Sequence, residues 1–242
     1  MKIAMVTPVP ELVEAVVQNS MLRQAIERGV LDFQLINLRD FGKGSHRQID
    51  DSPFGGGKGM IMMAGPLFKA LDTAIEKVGG HEDLRIIYPS PQGRPWKHDF
   101  AMENSAVKKL IFLCGHYKGI DERVIEKYVT HEYSIGDFVL SGGEIPGLIL
   151  LDSIVRLIPG VLNSYESAMT DSFAVELLDG PHYTQPREIE NRPVPDILLT
   201  GHHKKIEEWR NKKRRERTEN RRPDLWKNYL EGTDISEKQS HE

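Results

Sequence analysis

The sequence predicts an α/β fold with a mainly parallel sheet, followed by a small helical domain. Through the first two thirds of the chain, short apolar runs alternate with amphipathic helical patterns, as in strand–helix–strand units. Further on, the strand patterns stop and charged helical patterns replace them. With 242 residues, 39% of them hydrophobic, the chain can bury a core in one large domain or two modest ones.

Each predicted element follows from its local pattern. Runs of apolar or alternating residues predict strands over 2–6, 31–38, 84–88, 110–114 and 132–135. Apolar residues at helical spacing predict helices over 10–28, 66–78, 97–104, 121–128 and 144–157. Ser20 is a candidate cap midway along the first helix. After Pro181 the chain is punctuated by prolines, and helices are predicted over 195–217 and 223–230.

Residues 39–63 form a long polar loop that is dense in glycine. A loop of this length in a compact domain is usually functional, and the alternative is a flexible surface loop. A phosphate-binding loop is excluded, because Ser52 occupies the position of the first glycine and Gly59 that of the final serine or threonine.

Three further segments, 88–91, 115–119 and 135–146, follow predicted strands, and the latter two contain glycine. The carboxyl ends of parallel strands meet at one edge of a sheet, where open α/β folds bind ligands. Glycine lets the main chain approach a ligand closely. We therefore predict one pocket, lined mostly by main chain, that holds a small cofactor. For any one of these glycines, a tight turn is the simpler explanation.

The composition excludes several classes of protein. No run approaches the roughly 18 apolar residues of a membrane span, and the first residues form a strand pattern rather than a signal peptide. The single cysteine, Cys114, cannot form an internal disulfide, which favours a reducing cytoplasm. Its place at a strand end is typical of a small buried apolar residue. The histidines lack zinc-ligand spacing, and we predict no metal ligands.

A basic segment from Lys204 to Lys227 contrasts with the net charge of −4 of the whole chain. It holds eleven basic and five acidic residues, an excess of six positive charges. Such segregation favours a polyphosphate partner, and the alternative is a solvated helix face.

The chain resembles the TrmD family of bacterial tRNA (guanine-N1)-methyltransferases, of the SPOUT superfamily. The resemblance covers nearly the whole chain, since many separate motifs occur in the same order. They include Ser52-Pro53-Phe54-Gly55-Gly56-Gly57, Tyr88-Pro89-Ser90-Pro91-Gln92-Gly93, Gly119-Ile120-Asp121-Glu122-Arg123, Ile135-Gly136-Asp137, Leu140-Ser141-Gly142-Gly143-Glu144 and Pro181-His182-Tyr183-Thr184.

The resemblance implies a deep trefoil knot in the α/β domain, a homodimer with a composite active site, and S-adenosylmethionine bound within the knot. It also implies methyl transfer to N1 of guanosine 37, next to the anticodon of tRNA. We accordingly predict a knotted domain over 1–160, a linker over 161–172 and a helical tRNA-binding domain over 173–242. The family's reaction is supported by magnesium, although no cluster of carboxylates in the sequence identifies a site.

The resemblance assigns the catalytic roles to Asp171 and Arg156, on different subunits of the dimer. The N1 atom of guanine must lose a proton before it attacks, and Asp171 matches the family's base. Negative charge then moves to O6, where Arg156 would stabilise it. From the residues alone, Asp171 is more typical of a helix N-cap before the apolar run 173–175.

Loop positions and the resemblance together give the binding residues. Cofactor contacts are expected from Tyr88, Pro89, Ser90, Pro91, Gly115, Tyr117, Ile135, Gly136, Asp137, Leu140, Gly142, Gly143 and Pro146. Substrate contacts are expected from Ser172, His182, Tyr183 and Lys204.

The chain departs from the family pattern at His116 and Lys118, where arginine and glutamate are usual, and at Gln185, where arginine is usual. Two other functions remain open at this point. One is a SPOUT RNA methyltransferase with a different target, and the other is a non-catalytic RNA-binding relative.

Overall fold

The computed structural model describes residues 1–162 and 171–239, the last seven of these as backbone only. The chain divides into two compact units, Met1–Tyr165 and Glu166–Glu242. The predicted linker, 161–172, lies mostly outside the described residues, so that part of the predicted domain division stays a prediction.

The first unit is built on a five-stranded sheet with the order β2-β1-β6-β5-β7, in which every neighbouring pair is parallel. This confirms the predicted α/β class, whereas the knot stays a prediction. The strands of the sheet are β1 (Lys2–Thr7), β2 (Asp32–Asn37), β5 (Leu84–Pro95), β6 (Lys109–Leu113) and β7 (His131–Ser134).

Helices cover the sheet and alternate with its strands along the chain. They are α1 (Pro10–Val17), α2 (Ser20–Glu27), α3 (Ala64–Val78), α4 (His98–Ser105), α5 (Glu122–Tyr128) and α6 (Glu144–Val155). The inner strand β1 is buried from Ile3 to Thr7, and α3 packs its apolar face against β1 and the central strand β6. Full burial on both faces explains why the inner strands read as continuous apolar runs.

The single helix predicted over 10–28 is wrong, because the chain forms two helices there. Asn19 is extended, and Ser20 begins α2 with a left-handed φ of 53°. No side chain caps the start of α2, so Ser20 does not act as the predicted cap. The apolar spacing continues across the break between α1 and α2, and for this reason the pattern predicted one helix.

The loop 39–63 contains more structure than predicted. It begins with a single 3₁₀ turn (Leu38–Phe41), and two short strands, β3 (Asp50–Asp51) and β4 (Ile61–Met62), then pair antiparallel. Ile49 and Met62 are buried in the core and anchor both ends of the glycine-dense segment.

The described part of the second unit, 171–239, carries two helices, α7 (His203–Arg221) and α8 (Pro223–Gln239). We predicted no strands in this unit, and that prediction is wrong. A small hairpin forms there from β8 (Glu188–Ile189) and β9 (Arg192–Pro193). The helix predicted from residue 195 begins only at His203, because a 3₁₀ turn (Asp196–Leu199) and left-handed Gly201 precede it.

Candidate active site

The three predicted loops of the first unit converge on one open pocket of about 140 Å³. Two of the loops leave the carboxyl ends of β6 and β7, and the third lies within β5, which stands between them in the sheet. The pocket therefore occupies the edge of the sheet where the sequence predicted a ligand.

Twelve of the thirteen predicted cofactor residues line this pocket, and Asp137 is the exception. The lining also includes residues that were not predicted: His116, Lys118, Gly119, Tyr133, Ser134, Phe138, Val139 and Ser141. Six of these eight lie within the predicted segments 115–119 and 135–146, and that position was the available signal. The cofactor-binding roles themselves stay predictions.

The first of the lining segments is an irregularity within β5. Its pairing with β7 slips between Pro89 and Arg94, so residues 90–93 leave the ladder and the strand then resumes. The strand was predicted to end at Tyr88, and the slip explains why proline and glycine are tolerated in a longer one. Burial, and after it the charges of Glu132 and Glu122, raises the pKa of Tyr88 to about 12, which keeps its hydroxyl neutral.

Gly142 and Gly143 are required where two of the loops meet. The Gly143 N–H donates to the Gly115 carbonyl at 2.7 Å. A Cβ atom on Gly143 would lie 2.7 Å from the Gly115 nitrogen and 2.9 Å from the Cys114 Cα atom. Because both are backbone atoms, they cannot give way easily, and only glycine allows this approach.

A buried carboxylate, Glu144, lies directly behind this wall. It is 2% exposed and accepts hydrogen bonds from the Thr7 hydroxyl at 2.5 Å and from His116 Nε2 at 2.8 Å. Burial raises the pKa of Glu144, but the hydrogen bonds from His116 and Thr7 outweigh it and hold the pKa below its usual value. A negative charge thus stands at the first residue of α6, where the helix dipole favours it.

The neighbouring thiol of Cys114 is fully buried. Burial, and after it the charge of Glu144, raises the pKa of Cys114 well above its usual value. This confirms the interpretation of Cys114 as a small buried residue rather than a nucleophile.

The loop 39–63 returns alongside the pocket. Met62 exchanges backbone hydrogen bonds with Gly119 and Asp121 at 3.0 Å, and Lys118 N–H donates to the Met60 carbonyl at 3.1 Å. Between these anchors, Phe54 at the glycine-rich tip is fully exposed. One rim of the pocket is therefore continuous with the glycine-rich segment.

The two predicted catalytic residues lie in different units. Arg156 follows the last turn of α6 and is half-buried. Asp171 is half-buried in the second unit, and its carbonyl accepts from Ala174 N–H at 3.4 Å. No helix begins at Asp171, since turns with left-handed Phe173 and Glu176 follow it, and the N-cap interpretation is wrong. The catalytic roles stay predictions.

Two of the predicted substrate residues meet at Asp179. Its backbone N–H donates to the Ser172 hydroxyl at 2.9 Å, and His182 Nε2 contacts its carboxylate at 2.7 Å. Burial opposes the charge on Asp179, but the hydrogen bonds from His182 and the Gly180 N–H outweigh it and lower the pKa. Tyr183, which is half exposed, lies with its ring 6.4 Å from that of Trp209.

The basic segment forms most of α7 and continues into α8. Part of its charge is neutralised by nearby carboxylates, which pair with Lys212, Lys213, Arg222 and Lys227. Lys204, Lys205, Arg210, Arg215 and Arg221 are exposed. The segment thus presents cations to solvent along α7.

Two kinds of feature are absent from the described part of the chain. In 1–162 and 171–239, no three His, Cys, Asp or Glu side chains group as a metal site would require. In the same residues, no helix is both long and apolar enough to cross a membrane.

Comparison with known proteins gives a consistent result over almost the full length. A sequence model of the family described as tRNA (Guanine-1)-methyltransferase TrmD matches residues 1–228. Proteins named tRNA (guanine-N(1)-)-methyltransferase are similar to this chain. That of Staphylococcus epidermidis (strain ATCC 35984) is 45% identical over 229 residues, covering 95% of this chain and 92% of that protein. Those of Shouchella clausii and Clostridioides difficile are 47% and 44% identical, covering 95% and 94% of this chain and 93% and 98% of their own.

Proposed function

Because this chain belongs to the tRNA (guanine-1)-methyltransferase family, we propose that it transfers the methyl group of S-adenosylmethionine to N1 of guanosine 37 in tRNA. The observation that carries the proposal is the single pocket on which the irregular segment of β5 and the loops after β6 and β7 converge. The name shared by the relatives states the tRNA and the methylated nitrogen of guanine. A tRNA substrate places the proposed reaction in the cytoplasm.

The pocket fits an adenosine-containing sulfonium. Pro89, Ile135 and Leu140 offer apolar surface to a flat base, and the glycines expose main-chain donors and acceptors. Among the described residues the lining contains no carboxylate, but the charge of Glu144 lies immediately behind Gly142 and complements a cation. The bound cofactor supplies an electrophilic methyl group. The trefoil knot that the family resemblance implies is part of this proposal.

Asp171 and Arg156 would act on the guanine. The Asp171 carboxylate removes the N1 proton, and the Arg156 guanidinium stabilises the charge that develops on O6. In this proposal Ser172, His182, Tyr183 and Lys204 contact the RNA, and the exposed cations of α7 attract its phosphates. The target lies in a loop that is already single-stranded, so its extraction costs less than flipping a paired base.

A homodimer with a composite active site is supported by an exposed apolar surface on the first unit. Leu12 and Val16 stand one turn apart on α1, and Ile145 and Ile149 one turn apart on α6, which packs against α1. These four side chains are 39–51% exposed, as expected of a face that a second copy covers. Sedimentation equilibrium tests this point, and a monomer at micromolar concentration would contradict it.

The decisive experiment locates the methyl group. Purified protein is incubated with S-adenosylmethionine and a tRNA transcript carrying guanosines 36 and 37, and the product is mapped by mass spectrometry after nuclease digestion. The matched control transcript has adenosine at position 37. We expect 1-methylguanosine at position 37 of the first transcript only. Methylation elsewhere would indicate a SPOUT enzyme with a different target, and cofactor binding without methylation a non-catalytic relative.

A further inference from the structure

Glu144 ties together three segments that are distant in sequence. Its carboxylate accepts from Thr7 at the end of β1 and from His116 in the loop after β6, while its own backbone begins α6. An ionised carboxylate can only accept, so the Nε2 atom of His116 carries the proton. Thr7 is fully buried, whereas the His116 side chain is 22% exposed and also lines the pocket.

The His116–Glu144 contact lies directly beneath Gly142. A Cβ atom at position 142 would stand 2.5 Å from His116 Nε2 and 2.6 Å from Glu144 Oε2. The space that a side chain would fill is thus taken by the two bonded groups. Gly142 is also paired with His116 through the backbone, and Gly143 with Gly115.

We propose that His116 is a positioning residue for the cofactor: through Glu144 its imidazole holds Gly142 and Gly143 against the loop after β6 and so sets the width of the pocket. The inference rests on the proposed function only for the identity of the ligand. His116 is not assigned any contact with the reacting atoms.

Removing the imidazole has a defined physical consequence. Glu144 would keep Thr7 as a side-chain donor but lose the one that faces the pocket, leaving a buried carboxylate partly unsatisfied. The charge can regain a donor only if water enters or the loop shifts, and either change alters the wall at Gly142. The apolar core would be spared, because His116 lies outside the cluster of buried side chains around α3.

The test compares a variant that keeps the donor with two that lose it. His116→Gln places an amide N–H near the position of Nε2, whereas His116→Leu has similar bulk and no donor. His81→Leu, at an exposed histidine of the same unit that does not line the pocket, is the control. Isothermal titration with S-adenosylmethionine and thermal unfolding are measured on the full chain.

We expect His116→Leu to weaken cofactor binding about tenfold or more, the cost of an unsatisfied buried group. His116→Gln should stay within about threefold of the wild type, and His81→Leu should match it. In steady-state assays the KM for the cofactor should rise in His116→Leu, with a smaller change in kcat. If His116→Leu does not fold, His116→Asn replaces it, because its shorter amide cannot reach Glu144.

The outcomes separate the two proposals. A wild-type chain that binds no S-adenosylmethionine overturns the proposed function, and this inference with it. A wild type that binds, with unchanged affinity in His116→Leu or His116→Asn, overturns the role of His116 alone. Equal losses in the glutamine and leucine variants overturn the hydrogen bond as the cause.

Discussion

The wall of the pocket and the segment around Asp171 satisfy their polar groups in different ways. At the wall, the Gly143 N–H and the Glu144 carboxylate are bonded to neighbouring loops, and little of either is exposed. From Asp171 to Tyr183 the chain forms no helix or strand, and the more exposed side chains of His182 and Asp179 pair with each other. We infer that the proposed cofactor pocket of the first unit is preformed, whereas the proposed RNA-binding groups of the second unit lie on a less regular segment.

The largest effect is expected from a substitution in the second unit that lowers methyl transfer but leaves cofactor binding intact. Asp171→Asn removes the proposed base, and we expect methyl transfer to fall about 10²- to 10⁴-fold. Affinity for S-adenosylmethionine should be nearly unchanged, because the pocket lies in the other unit. Single-turnover methylation and isothermal titration check the two parts, and normal turnover would refute the assigned base.

A substitution in the wall of the cofactor pocket should instead impair cofactor binding and stability. Gly143→Ala forces a Cβ atom into the backbone of Gly115 and Cys114, and we expect destabilisation of about 1–3 kcal/mol together with loss of cofactor binding. Gly65→Ala is the matched control, since that glycine lies in α3 with an ordinary φ and no heavy atom within 4 Å of its added Cβ. Thermal unfolding should show Gly65→Ala to be neutral or slightly stabilised. Equal melting temperatures for the two variants would contradict the tight contact.

The pH dependence of stability sharpens the comparison further. The pKa of Glu144 lies below its usual value of 4.5 in the folded chain, so on acidification the unfolded chain takes up this proton first. The resulting stabilisation is complete above that usual value and is lost as the pH falls through the folded-state pKa.

Glu144→Gln should therefore lose less of its free energy of unfolding on acidification than the wild type does. Urea unfolding at neutral pH and near pH 4 measures the difference. Glu76→Gln, at an exposed position on α3, is the control and should follow the wild type. If Glu144→Gln lost as much free energy of unfolding on acidification as the wild type, this carboxylate would not be stabilised by its partners.

The smallest effect is expected on the charged surface. Lys204→Gln removes one exposed cation from the first turn of α7, and tRNA binding should weaken only a few-fold. The slope of log affinity against log salt should fall by about one. Lys77→Gln, an exposed lysine of α3, should leave that slope unchanged. An unaltered slope in Lys204→Gln would remove this residue from the RNA-binding surface.

The predictable parts of the molecule are those that depend on local sequence patterns. Apolar runs ending at glycine gave the strands and the loops of the pocket, because burial and left-handed or closely packed backbone restrict the residue types there. The break before α2 was marked only by Ser20, and the apolar spacing that passes through it favoured one continuous helix.

Contacts set by the fold could not be predicted. His116 and Glu144 are 28 residues apart, and their hydrogen bond depends on how two loops meet. Asp137 shares a loop with Gly136 but is absent from the lining, and its predicted cofactor contact stays a prediction. The roles of Asp171 and Arg156 came from the resemblance. For Asp171 the residues alone favoured a helix cap, which does not form.

The single cysteine has a practical consequence. Cys114 is fully buried with a raised pKa, so little of it is thiolate and alkylating reagents reach it poorly. A new cysteine at an exposed position such as Phe54 could then be labelled selectively without first mutating the native one. A fluorophore attached there would report directly on whether the glycine-rich tip meets the anticodon stem-loop.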